Sequence, residues 1–133
     1  MSDLQTKITD EFGSLESNLE ATEQRLRELA GCLQQERSMV VLFDIEGLIA
    51  TVQRKQQCLE HIAALRDERR QMCRQVWSML GRDDEMADDV PVFLRSLARE
   101  VPERAGVFER FAADLESLLA TVRELERANR SVV

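Results

Sequence analysis

The chain has 133 residues, 44% of them apolar and 32% charged, with five Phe, one Trp, no Tyr, five Gly and two Pro. So few breakers among so many charges is the composition of helical bundles and coiled coils with a Leu, Val and Ala core, about one domain's worth, and it excludes a β fold. A net charge of −7 repels a phosphate backbone and an anionic lipid surface, so neither nucleic acid nor membrane is an expected partner.

Residues Met1 to Lys7 carry no apolar stretch of a signal peptide, and the longest strongly apolar run is Met39 to Phe43. That is far below the ~20 residues of a membrane span, which predicts no membrane insertion and a cytoplasmic location. The three cysteines, Cys32, Cys58 and Cys73, show no CxxC spacing and read as reduced thiols.

A first helix is predicted over about residues 3–40. Leu4, Ile8 and Phe12 step by fours, and Leu15, Leu19, Thr22, Leu26, Leu29 and Leu33 then alternate four and three, a heptad seam. The run Met39-Val40-Val41-Leu42-Phe43 is apolar all round where the chain must turn, and it is expected to be a buried corner under the end of the bundle, the alternative being an exposed partner patch.

The second helix, about 45–80, is read as the central one. Asp44 is placed to cap it, with Phe43 and Leu48 spaced as a hydrophobic staple. Ile45, Leu48, Val52, Leu59, Ile62, Leu65, Met72, Val76 and Leu80 follow at helical spacing, the stripe of a core-facing side. Lys55 and Arg69 fill its gaps, either snorkelling from the edge or pairing with acids of the first helix. The net charges are −4 over residues 1–40, +2 over 41–82 and −5 over 83–133, an order that suits a middle helix flanked by two acidic ones.

Gly81 marks the end of that helix, and the acidic loop 81–89 is too charged and unpatterned to be packed. A short helix over 90–99 is capped by Asp88 or Asp89, carries Pro91 in its first turn, and sets Phe93, Leu94, Leu97 and Val101 on one side. The last helix, about 103–132, has the most regular pattern: Phe108, Phe111, Leu115, Leu118, Val122, Leu125, Asn129 and Val132 alternate three and four and are built for a long groove. The expected fold is all-α, one domain over residues 1–133: a long antiparallel helical hairpin plus a long C-terminal helix, a three- to four-helix coiled-coil-like bundle with one short helix in the connection.

Little in the chain points to chemistry. Cys58 and the single histidine, His61, lie one helical turn apart, but no further ligand spacing accompanies them, so no metal site is assigned. There is no glycine-rich phosphate loop, and the acidic loop fails the calcium pattern, because from Asp83 its sixth and twelfth positions are Asp88 and Leu94. Neither a cofactor nor an enzymatic activity is expected. Arg66, Arg69, Arg70 and Arg74, with Asp67 and Glu68 between them and no aromatic beside them, read as a salt-bridged helix face, with an anion site as the alternative.

The run Leu26, Leu33, Glu36-Arg37, Asp44, Leu48, Val52, Lys55, Leu59, Ile62, Leu65, Arg69 and Met72 resembles the FlgN-like family of flagellar type III export chaperones. Leu115, Leu118-Leu119, Val122, Leu125 and Asn129 fit that family's final helix. Where the family tends to show two asparagines three apart, this chain has Glu126 and Asn129. The resemblance implies a cytosolic chaperone that binds hook-filament junction (hook-associated) subunits, prevents their premature assembly and delivers them to the export apparatus. It implies a partner-binding row of Leu118, Val122, Leu125, Asn129 and Val132, a region that is also the best helix-in-groove surface on pattern alone. A loose homodimer is compatible with that use; a stable scaffold homodimer along the last helix is the alternative.

Overall fold

The computed structural model of the chain describes residues 2–132, with every side chain in that span except those of Ser2, Leu4 and Val132. Four α-helices account for its regular structure: α1 (Ser2–Val41), α2 (Ile45–Met79), α3 (Val90–Glu100) and α4 (Ala105–Val132), with a single 3-10 turn, Pro102–Arg104, leading into α4. The all-α hairpin, long last helix and short connecting helix predicted from the hydrophobic pattern are all present.

The direction of each helix follows from its cross-links. Arg54 donates to Gln35, the Cys58 thiol to the Arg25 carbonyl, and Arg69 to Asn18, so α2 runs antiparallel to α1. At the start of α4, Arg104 pairs with Glu16 at 2.8 Å and Phe108 meets Phe12 edge-on at 5.5 Å; at its end, Asn129 donates to the Leu33 carbonyl. α4 is therefore parallel to α1. No Cα of α2 comes within 8 Å of one in α4 among the described residues.

The middle helix is consequently α1, not α2. The reason is the width of the buried stripe on α1. Asn18 beside Leu19, Thr22 beside Glu23, and Cys32 beside Leu33 are all buried, so successive turns bury two neighbouring positions and serve two partners. The buried residues of α2 are mostly polar or weakly apolar by comparison, Thr51, Cys58, Arg69 and Cys73, with Val76 and Trp77 joining them only near its end.

One end of this assembly is tightly closed. Gly81, at φ 74, ends α2 in the left-handed conformation that glycine adopts without strain, and the Arg82 amide donates back to the Trp77 carbonyl. The loop that follows is docked, contrary to the reading from its charge. Met86 and Ala87 pack against the core, and the Trp77 indole N–H donates to the Asp84 carbonyl at 3.0 Å. A buried indole needs an acceptor, and a backbone carbonyl supplies one whatever the loop's charge. Asp89 caps α3 by accepting from the Val92 amide at 3.1 Å, and Pro91 lies in the first turn. Phe93, Leu94, Leu97 and Ala98 then bury one face of α3 along α4, and Phe93 reaches across to Trp77, ring centroids 5.6 Å apart. Over this half, four helices surround the core.

Candidate functional site

The fourth position is filled only part of the way. At 1.5 Å per residue α3 is about 16 Å long while α2 is about 52 Å, so α3 covers the last third of α2 and leaves the rest without a neighbour on that side. Beyond the end of α3 a groove opens between α2 and α4 with α1 as its floor. It includes a cleft of about 580 Å³ with Leu29 and Leu33 below, Lys55 and Leu59 on the α2 wall, and Asn129 and Arg130 on the α4 wall.

The α2 wall continues past the cleft as an apolar strip. Leu59, Val52, Leu48 and Ile45 keep the spacing that lines one helix face, and Ile49 lies beside them. Ile45 is 71% exposed and Ile49 55%. Ile45, Leu48, Val52 and Leu59 belong to the stripe that the sequence assigns to the core; Ile49 does not. The stripe is real, but in this half of the molecule no helix covers it. All but one (Val92) of the large apolar side chains that stand exposed among the described residues fall between Val41 and Leu59.

The hairpin tip lies beyond the groove. Asp44 caps α2 as predicted, its Oδ1 accepting from the Gly47 amide at 2.9 Å. A Cβ on Gly47 would lie 2.6 Å from both Asp44 Oδ2 and Met39 Sδ, so any larger residue there would have to push the ends of those two side chains aside. The chain leaves α1 through Phe43 at φ 55, with the Asp44 amide donating to the Met39 carbonyl. That is the C′ position usually given to glycine, and a left-handed phenylalanine there costs about 1–2 kcal/mol. Phe43 recovers nothing by packing. It is 89% exposed and Leu42 70%, so the expected staple does not form and the corner is open, not buried. A corner can be buried only where another element reaches it, and here α1 and α2 project past the cross-link of Asn129 to Leu33.

The row on α4 is divided. Val122 is core at 6% exposure, Leu118 and Leu125 are half-buried against the core, and the Val132 side chain lies outside the described residues. Asn129 lines the cleft. Its Nδ2 donates to the Leu33 carbonyl at 2.9 Å and to Glu36 Oε1 at 3.1 Å, while the other Glu36 oxygen accepts from Lys55. Lys55 thus pairs with an acid of α1, one of the two roles open to it from sequence. Two acceptors fix the orientation of the Asn129 amide, and its Oδ1 is left buried without a donor among the described residues.

Elsewhere the arrangement offers little chemistry. Burial pushes the Cys73 thiol up to about 12, against the pull of Arg69, which removes it as a nucleophile at neutral pH. Among the described residues no three His, Cys, Asp or Glu come together as a metal site, and no helix is long and apolar enough to cross a membrane. Ile49 is the part of the site that the sequence reading missed, and the tip residues take the alternative open to them, an exposed patch in place of a buried corner. The signal available was that α2 has a second set of inward positions, Thr51, Cys58 and Cys73, leaving its apolar stripe free for something else.

Comparison with protein families matches residues 11–133 to the FlgN family, under the description FlgN protein. Neither the curated proteins nor the solved structures gave a match.

Proposed function

The chain belongs to the FlgN family of flagellar export chaperones, and from that premise we propose that the open groove receives an amphipathic helix of an exported hook-filament junction subunit. One observation carries this reading: a helical bundle whose fourth position is filled along α3 and vacant beyond it, with an apolar strip facing the vacancy. A partner helix laid there would cover Ile45, Ile49, Val52 and Leu59 and complete the bundle. In the cytoplasm, such occupancy would hide the subunit's own assembly surface until delivery to the export apparatus.

The row Leu118, Val122, Leu125, Asn129 and Val132 enters this proposal as the α4 side of the surface. Asn129 would form part of the cleft wall against which the client lies, held in place by its bonds to Leu33 and Glu36. Leu118 and Leu125 would contribute edges, and Val122 would act from beneath by holding α4 on α1. An Asp at Val122 would therefore damage the core and is a poor probe of binding.

The informative variant is Ile49→Asp with Val52→Asp, because both side chains are exposed and few internal contacts are lost. Its melting temperature should stay close to that of the parent, since exposed substitutions usually move stability by under about 0.5 kcal/mol. Pull-down of co-expressed hook-associated subunits should be lost. A stable variant that still captures its subunit would move the site away from α2. Sedimentation distinguishes the other reading that the same strip supports: a tight dimer dissociated by these two changes would make the strip a self-association surface of a scaffold.

A further inference from the structure

The arginines late in α2 do not form the salt-bridged face expected of them. Arg66 has only its neighbour Asp67, at 3.8 Å, and Arg69 and Arg70 have no carboxylate within 4 Å among the described residues. Arg69 is the anomaly, because it is 8% exposed. Its Nη1 donates to Asn18 Oδ1 at 3.2 Å and Thr22 Oγ1 at 3.0 Å, both neutral acceptors. Its Nε and Nη2 make no hydrogen bond among the described residues. Buried cations are ordinarily paired, since taking a charge out of water without an opposite charge is strongly disfavoured. Here burial holds the guanidinium below the ordinary arginine range, the Cys73 sulfur works the other way, and Arg66 and Arg70 press it further down. The neighbouring charges on α2 make the deficit worse.

Arg69 borders a small cavity of about 100 Å³ between α2 and the segment leading into α3. Arg66 and Arg70, both exposed, line it on the same helix; Met86, Val90 and Phe93 supply an apolar wall, and Asp88 also borders it. We propose that this cavity is a socket for one carboxylate side chain of a protein partner, gripped by the free Nε and Nη2 edge of Arg69 with Arg66 and Arg70 at the mouth. The guanidinium is already aimed by Asn18 and Thr22, so the fork that matches a carboxylate is preorganised. Two features favour a carboxylate over free phosphate. The apolar wall suits the methylene stem of Glu, and the Asp88 carboxylate, in a chain of net charge −7, repels a dianion more than a monoanion. The socket lies beside α3, at the other end of α2 from the groove, and does not rest on the reading of the groove.

Trp77, the only tryptophan, packs on Phe93 of the cavity wall, so its fluorescence reports occupancy. The full chain would be titrated with N-acetylglutamate amide, with N-acetylglutamine amide as the neutral isostere, and with inorganic phosphate. We expect saturable binding of the carboxylate in the millimolar range, weaker by about tenfold or more for the amide, and weaker for phosphate. Arg66→Gln with Arg70→Gln alters exposed positions only, and should weaken the carboxylate by about tenfold with an unchanged circular dichroism spectrum. Arg69→Gln should abolish binding; if that variant fails to fold, the rim pair decides. Equal binding of the amide, tighter binding of phosphate, or indifference to the rim pair would each overturn the socket.

Discussion

From Arg69 to Leu80, α2 has α1 on one side and α3 with its preceding loop on another, and Cys73, Val76 and Trp77 are buried there. From Ile45 to Leu59 the same helix touches α1 alone, and its apolar residues face outward. The two turns differ in the same sense: α2 ends through a left-handed glycine, whereas α1 ends through a left-handed, exposed phenylalanine. Both halves carry a helical apolar stripe, so hydrophobic periodicity does not separate them. What separates them is whether a neighbour is long enough to arrive. One half uses its stripe for stability; the other keeps it available, and the cost appears as backbone strain and exposed apolar surface at the tip.

Truncating the large side chains on either side tests that contrast most strongly. Phe108→Ala, in the closed half, should lower unfolding stability by about 3–5 kcal/mol in a denaturant titration, because the ring is fully buried and leaves a cavity. Ile49→Ala should fall within about 0.5 kcal/mol of the parent. Similar losses at the two positions would mean that the groove is closed in solution. Next in size is the cap at the tip. Asp44→Ala should cost about 1 kcal/mol by the same titration, since the Gly47 amide loses its acceptor at the start of α2.

Phe43→Gly should act with the opposite sign. Relief of the left-handed strain should raise stability by up to about 1 kcal/mol while weakening capture of the client, a combination that an ordinary structural residue does not show. The smallest effect concerns Glu23, buried between the halves on α1. Burial, and secondly the charge of Asp114, raise its carboxyl above 4.5, against the pull of Arg27 and Arg110. The folded state therefore binds this proton more tightly than the unfolded one. Its contribution is most favourable below pH 4.5 and declines as pH rises from there through the raised value. Glu23→Gln should be more stable than the parent at pH 7, by under about 1 kcal/mol, with the advantage disappearing in acid; an advantage independent of pH would assign the change to packing instead.

Helix positions, the cap at Asp44, the stop at Gly81 and a start at Asp88 or Asp89 just before Pro91 were readable in the residues because each depends on chemistry within a few positions of itself. The partner row on α4 was readable only as a seam. Phe108, Phe111, Leu115 and Val122 keep it on the core, whereas Asn129 interrupts it where the α4 wall of the cleft is reached. The corner at Met39 to Phe43 was misread because apolar residues at a turn are usually covered, and whether they are covered depends on how far other helices extend.

Local propensity and spacing thus determined that this chain is four helices with an antiparallel hairpin, and which residues of each are apolar. Only the tertiary structure decided that α1 is the central helix, that Arg69 is buried without a counter-charge, and that half of the stripe on α2 has no partner. Periodicity specifies a face and says nothing about what lies opposite it; that is set by the relative lengths of α3 and α2 and by the direction of α4, which are properties of the assembled chain.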